Sequence, residues 1–127
     1  MVFEGKVMGF IPTSDAERAR TFYEGVLGMR FLSDDTFALV MDAGGTMVRI
    51  VRVGEFTPAR FTIVGWEVLS LDEVVKRLSE AGVSFERYGL PGQGDDGIWS
   101  APGGTKVAWF KDSDGNVLSV SEHGSLV

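Results

Sequence analysis

The stretch S-D-A-E-R-A-R-T-F-Y-E-G-V-L-G-M-R-F, Ser14 to Phe31, decides the fold, because S-L-D-E-V-V-K-R-L-S-E-A-G-V-S-F, Ser70 to Phe85, repeats its plan. Both open on S-x-x-E, Ser14 to Glu17 and Ser70 to Glu73. In that pattern the serine hydroxyl accepts from an amide in the first turn and the glutamate reaches back to the serine amide. Ala16, Ala19, Phe22, Tyr23 and Val26 then recur at three- and four-residue spacing, as do Leu71, Val74, Val75, Leu78 and Ala81. Each segment therefore predicts a helix with one apolar stripe. Each stops at a glycine, Gly28 or Gly82, where a left-handed cap is expected, and a Phe follows three residues later.

The flanks repeat as well. A β-type run precedes each helix, Lys6 to Ile11 and Phe61 to Leu69. Three strands are expected after the first helix, near Arg30 to Ser33, Thr36 to Met41 and Thr46 to Val53. After the second they are expected near Ser84 to Arg87, Ile98 to Ala101 with Thr105 to Lys111, and Asn116 to Glu122. Gly44-Gly45 and Asp112 to Asn116 are turn signals between them. Each half reads βαβββ: a first module over residues 1–54, a linker over 55–60 containing Pro58, and a second module over 61–127. The expected fold is α+β, two βαβββ modules whose curved mixed sheets form a cup with the helices outside. A cup with a mixed lining suits a small ligand.

Composition narrows the function. The 127 residues are 44 % hydrophobic and 24 % charged, ordinary for a globular domain. Twelve Lys and Arg against 18 Asp and Glu give a net charge of −6, so a nucleic-acid backbone is not an expected partner. The absence of cysteine excludes disulfides, thiolate catalysis and cysteine-ligated metals. No apolar run reaches the roughly 18 residues of a membrane span. The opening M-V-F-E-G-K-V lacks a signal-peptide pattern, so a cytoplasmic protein is expected.

Alternation nominates the lining. Met47, Arg49 and Val51 share one strand face, with Val48 and Ile50 on the other. Phe10 shares the parity of Met8. Trp66 and Phe110 are expected under a helix, which points Trp109 into the cup, with Trp99 a further candidate. The expected ligand-contact set is Met8, Phe10, Arg49, Glu67, Trp99, Trp109 and Ser119. Aromatic walls stack on planar or cationic ligands, or they fill core or a dimer interface. Arg49 has two readings as well: a bidentate grip on a ligand carboxylate or phosphate, or an internal salt bridge, for instance with Glu67. The only histidine, His123, is either a base or single metal ligand, or a solvated side chain near the terminus. The run Gly89 to Gly97 is read as a plain flexible loop or a mobile lid.

Three segments carry a resemblance: F-I-P-T-S-D-A-E-R-A-R-T-F-Y-E-G-V-L-G at Phe10 to Gly28, W-E-V-L-S-L-D-E-V-V-K-R-L-S-E-A-G-V at Trp66 to Val83, and K-V-A-W-F-K-D-S-D-G-N-V-L-S-V at Lys106 to Val120. The chain resembles the vicinal oxygen chelate superfamily of glyoxalases, extradiol dioxygenases and bleomycin-resistance proteins. In its enzymes, His, Gln and Glu on the first and last strands of each module hold one divalent metal. The resemblance assigns those places here to Met8, Ile63 (or Val64 with a slip of one), Arg49 and Ser119. None of these is a good ligand for such an ion, so a metal-lacking member with no cofactor is implied. The expected function is a small-molecule binding protein of the bleomycin-resistance type, holding an aromatic or amphipathic ligand without metal. The alternative is a lyase, isomerase or dioxygenase-like enzyme, metal-free or with an unusual site built from Glu67, Glu122 and His123. A third is a domain used for association, its cup filled by its own side chains. The resemblance and the open sheet edges together imply a homodimer.

Overall fold

The computed structural model describes residues 1–124. They belong to two compact units, Met1–Thr57 and Pro58–Val127. In the first, β1 (Met8–Thr13) leads into α1 (Ala16–Arg20), and β2 (Arg30–Asp34), β3 (Ala38–Ala43) and β4 (Thr46–Arg52) follow. The sheet order is β1-β4-β3-β2, with β1 parallel to β4 and the remaining pairs antiparallel. In the second unit, β5 (Thr62–Glu67) leads into α2 (Leu71–Glu80), and β6 (Trp99–Ser100), β7 (Lys106–Lys111) and β8 (Val117–Glu122) follow. The order β5-β8-β7-β6 repeats the plan, again with one parallel pair, β5 and β8. The fold is α+β, and each half is a βαβββ module with an open four-stranded mixed sheet.

Each sheet has one face against its own helix and one open face. α1 packs on β3 and β4, and α2 on β7 and β8. Ile11, Leu39, Met41, Val48 and Ile50 are buried on the helix face of the first sheet, below Ala19 and Tyr23. Leu118, Val120, Ala108 and Phe110 do the same in the second, below Leu71 and Val75. Phe110 is fully buried, with Trp66 stacked at 6.5 Å and Phe85 edge-on at 5.7 Å. Burying a ring of that size stabilises by about 2–3 kcal/mol. Trp66 and Phe110 thus lie under the helix layer as the alternation predicts.

Both helix stops are as expected: Gly28 and Gly82 have φ of +77° and +92°, a region that penalises any Cβ. Ser70 caps α2, its hydroxyl accepting from the Glu73 amide at 3.4 Å. The first cap differs from expectation. Asp15, one residue past Ser14, is the N-cap of α1, its carboxylate accepting from the Arg18 amide at 3.2 Å. A carboxylate is the stronger acceptor at a positive helix end. The Thr13 hydroxyl, which accepts from the Asp15 amide at 3.1 Å and donates to the Asp15 carbonyl at 3.0 Å, fixes the entry of the chain. The first helix also changes pitch. After five α-helical residues it widens to π-helical turns over Thr21–Val26, where the Leu27 amide reaches the Phe22 carbonyl. The Thr21 hydroxyl donates to the Glu17 carbonyl at this junction, a back-bond that bends helices.

The outer edge of the second sheet also differs from expectation. Ser84 to Arg87 was expected as a strand, but it supplies only a bridge, Phe85 to Phe110, with the Glu86 amide donating to the Trp109 carbonyl at 2.8 Å. Trp99–Ser100 takes the other end of the same edge, against Val107 and Lys106. The edge strand of this module is therefore split, and the chain between its two parts forms a loop.

Candidate functional site

The open face of the second sheet gathers the chemistry. Pairing registers lay its residues in rows: Gly65, Ser119 and Trp109 in one, and Glu67, Ser121, Val107 and Trp99 in the next. Trp99 and Trp109 are diagonal neighbours, with ring centroids 5.9 Å apart and planes tilted by 32°. Tyr88 adds a third ring, edge-on to Trp109 at 5.4 Å. The row beside Trp109 stays low because Gly65 has no side chain: a Cβ there would lie 2.9 Å from Ser119 Oγ. A flat, half-buried indole thus borders a shallow floor.

The loop between the two parts of the edge strand holds two of these rings. Gln93 is its hub: Nε2 donates to the carbonyls of Glu86 (3.0 Å) and Gly97 (2.9 Å), and Oε1 accepts from the Tyr88 amide (2.8 Å). The Trp99 indole donates to the Pro91 carbonyl at 3.0 Å, and the Arg87 guanidinium to the Asp95 carbonyl. These bonds tie the segment to the two ends of the split edge strand, at Glu86 and Trp99.

Beyond Tyr88 the surface deepens into a pocket of about 450 Å³, within the size range of small-ligand sites. Pro58, Ala59, Arg60, Tyr88, Lys111, Gly115 and Val117 line it. Lys111 lies 3.2 Å from the Glu86 carboxylate. Burial pushes the Tyr88 phenol above its ordinary pKa; Glu86 adds to that and Lys111 opposes it, so the phenol stays protonated at neutral pH.

His123 meets Ser121 Oγ at 3.0 Å and Glu67 at 3.8 Å, both through Nε2. A nucleophile–base–acid relay needs the acid on the other ring nitrogen, so this is a polar cluster and not a triad. Glu122, the third member of the atypical metal site expected with Glu67 and His123, lies on the helix face. It accepts from the Leu71 amide at 2.9 Å, because strand alternation turns it away from Ser121. Among the described residues no three His, Asp or Glu side chains gather as a metal site.

On the first sheet, Met8, Phe10 and Arg49 share the open face, with Phe10 paired to Arg49 and Met8 to Met47. Phe10 is 58 % exposed and Met8 45 %. Arg49 is held internally, as one of its two readings anticipates, but its partner is Asp35 and not Glu67. Asp35 follows β2 directly, and that guanidinium holds its carboxyl below the usual range, with the Ala38 amide a lesser cause. Glu67 lies in the other unit, beside His123.

Residues 6–120 match the family described as the Glyoxalase/Bleomycin resistance protein/Dioxygenase superfamily. The chain belongs to that superfamily. Its fold matches a member of the glyoxalase/bleomycin resistance protein/dioxygenase superfamily from Sphaerobacter thermophilus DSM 20745 (TM-score 0.73, 23 % identity, 97 % of this chain and 100 % of that one). It is also similar to TnmS3, an antibiotic binding protein from Streptomyces sp. CB03234 (0.68, 24 %, 98 % and 99 %). Lactoylglutathione lyase from Agrobacterium tumefaciens is a further neighbour (0.71, 17 %, 93 % and 92 %). At these identities the likeness is one of fold. No curated protein matches the chain significantly.

For a member of this superfamily the question of a metal turns on donors. The places assigned to ligands carry the Met8 thioether, the Arg49 guanidinium committed to Asp35, and the Ser119 hydroxyl. The fourth falls on Ile63, where the β5–β8 register shifts, or on Val64, which pairs with Leu118 on the helix face. A thioether, a cation, an alcohol and an alkyl group do not fit a divalent ion that wants imidazole and carboxylate.

Sequence reasoning missed Tyr88, Arg60 and Lys111. A signal for Tyr88 is present: in F-E-R-Y, Phe85 to Tyr88, alternation puts Tyr88 opposite Phe85 and so away from the core.

Proposed function

We propose that the chain is a small-molecule binding protein that holds an aromatic or amphipathic ligand without metal, on the open face carrying Trp99, Trp109 and Tyr88. The observation that carries this reading is a row of three rings, with centroids 5.4 Å apart for Tyr88 and Trp109 and 5.9 Å apart for Trp109 and Trp99, bordered by the low floor of Gly65 and Ser119. Aromatic pairs offer large contact area at little entropic cost. Among the described residues the Trp109 indole N–H has no hydrogen-bond partner, which leaves one donor for a ligand. Glu67, on the same open face, completes the contact set we assign to this unit, and Met8, Phe10 and Arg49 are kept as separate candidate contacts on the open face of the first sheet. That an antibiotic binding protein shares the fold is consistent with sequestration as the role. We read the protein as a cytoplasmic homodimer.

A second reading, an enzyme of the same superfamily, draws support from the Ser121–His123–Glu67 cluster, where the imidazole would act as a base. Native mass spectrometry of freshly purified protein, with tryptophan-fluorescence titration of any co-purified compound, separates the two. The binding reading expects a small molecule released intact on denaturation, and Trp109→Leu weakening its binding about tenfold or more, in keeping with the loss of a stacked ring. Chemical conversion of that molecule, abolished by His123→Gln, would instead establish the enzyme. Unchanged affinity in Trp109→Leu would remove the proposed face.

A further inference from the structure

Two cations line the pocket beside Tyr88, on a chain whose net charge is −6. Lys111 has one carboxylate neighbour, Glu86 at 3.2 Å. Among the described residues Arg60 has none within ion-pair distance. Arg60, Lys111 and Glu86 together leave one positive charge unmatched. The walls between them, Pro58, Val117 and Gly115, carry no charged side chain that would compete for the two cations. The Tyr88 phenol stays a neutral donor at the rim. Tyr88 belongs both to this pocket and to the ring cluster, so the two are continuous.

We propose that the ligand carries a single oxyanion, a carboxylate in the simplest case, which occupies the pocket between Arg60 and Lys111 while its aromatic part lies against Tyr88 and Trp109. The inference rests on the aromatic-binding reading above and deepens it: the ligand class is a flat aromatic acid. Charge matching, and not ring stacking, then selects the ligand. Glu86 acts as a brake on affinity, because it holds part of the Lys111 charge.

Three probes of one ring size test this: 2-naphthoate, 2-naphthalenemethanol and 2-naphthylmethylammonium, titrated by calorimetry into the full chain. The acid is expected to bind about tenfold or more tighter than the alcohol, the scale of one charge-assisted hydrogen bond, with the ammonium weakest. In an Arg60→Met/Lys111→Met double variant the acid should lose its advantage and bind no more tightly than the alcohol. Glu86→Gln should tighten the acid alone. Acid and alcohol binding equally to the native chain, or the ammonium binding best, would overturn the oxyanion assignment and leave the aromatic face standing. No binding of any of the three would remove both.

Discussion

The carboxylate of Glu122, at the end of β8, accepts a hydrogen bond of 2.9 Å from the backbone N–H of Leu71, the first residue of α2. A helix start has four amides without helical partners and a positive end of the helix dipole, and this carboxylate takes one of those amides and faces that end. The last strand thereby fixes where the helix begins, across 51 residues of chain. Glu122→Ala is expected to cost about 1–2 kcal/mol in urea unfolding, and Glu122→Gln less than half of that, since the amide oxygen still accepts. Equal losses in the two variants would show that the contact contributes only its charge.

The turn from β7 to β8 is organised by Asp112. Its Oδ1 accepts from the amides of Asp114 and Asn116, both at 2.9 Å, and its Oδ2 from Asn116 Nδ2 at 2.8 Å. Both side chains are buried, Asn116 almost completely. Asn116→Ala removes a charge-assisted hydrogen bond from the buried Asp112 carboxylate and is expected to cost about 2–3 kcal/mol. Asn116→Asp, which sets a second carboxylate against the first, should cost more at neutral pH than at pH near 4. A Tm for Asn116→Asp that does not rise on acidification relative to Asn116→Ala would contradict this account.

Asp34 and Arg52 form a two-pronged pair, both contacts at 2.8 Å. The Arg52 hydrogen bonds, and then the Thr36 amide, lower the Asp34 pKa from 3.8 to about 2. A depressed carboxyl stabilises the folded chain above its unfolded pKa and loses that effect as pH falls through the folded value. The window is therefore from about pH 4 down to about pH 2. Asp34→Asn should lower Tm by no more than about 3 °C near neutrality, because the pair is exposed, and the gap to the native chain should close across that window. A gap constant with pH would mean that the ion pair contributes nothing.

Thr36 has φ of +79°, in the left-handed region that a β-branched residue adopts at a cost. It is held there because its amide donates to Asp34 at 2.9 Å and its carbonyl accepts from Arg52 at 3.0 Å. Thr36→Gly keeps both backbone contacts and removes the steric penalty, so a gain of about 0.5–1 kcal/mol in chemical denaturation is expected. A loss would show that the side chain itself holds the turn.

Local signals in the sequence carry far and then stop. Gly28 and Gly82 mark the helix ends because left-handed backbone is a property of one residue. Met47, Arg49 and Val51 share a face, and Trp109 opposes Phe110, because strand alternation needs no distant information. The cap at Asp15 is ambiguous locally, since Ser14 and Asp15 both suit it and geometry at Thr13 decides between them. The Arg49–Asp35 pair depends on β2, β3 and β4 folding together, so a partner in the other module looks equally reasonable on parity alone. Likewise Arg60 and Lys111 are unrelated in sequence and become neighbours only when the linker lies beside the β7–β8 turn, where Gly115 comes within reach of Pro58.

The split outer edge of the second sheet has an evolutionary corollary. Glu86 and Trp99–Ser100 each bond to β7 on their own account, so residues 87–98 are not what keeps that strand paired. A lineage could exchange much of this insert for another of different length or lettering while β7 kept both of its edge partners. Because the insert delivers Tyr88 and its far end sets Trp99, such an exchange would rewrite what the protein recognises and leave what it is built on alone.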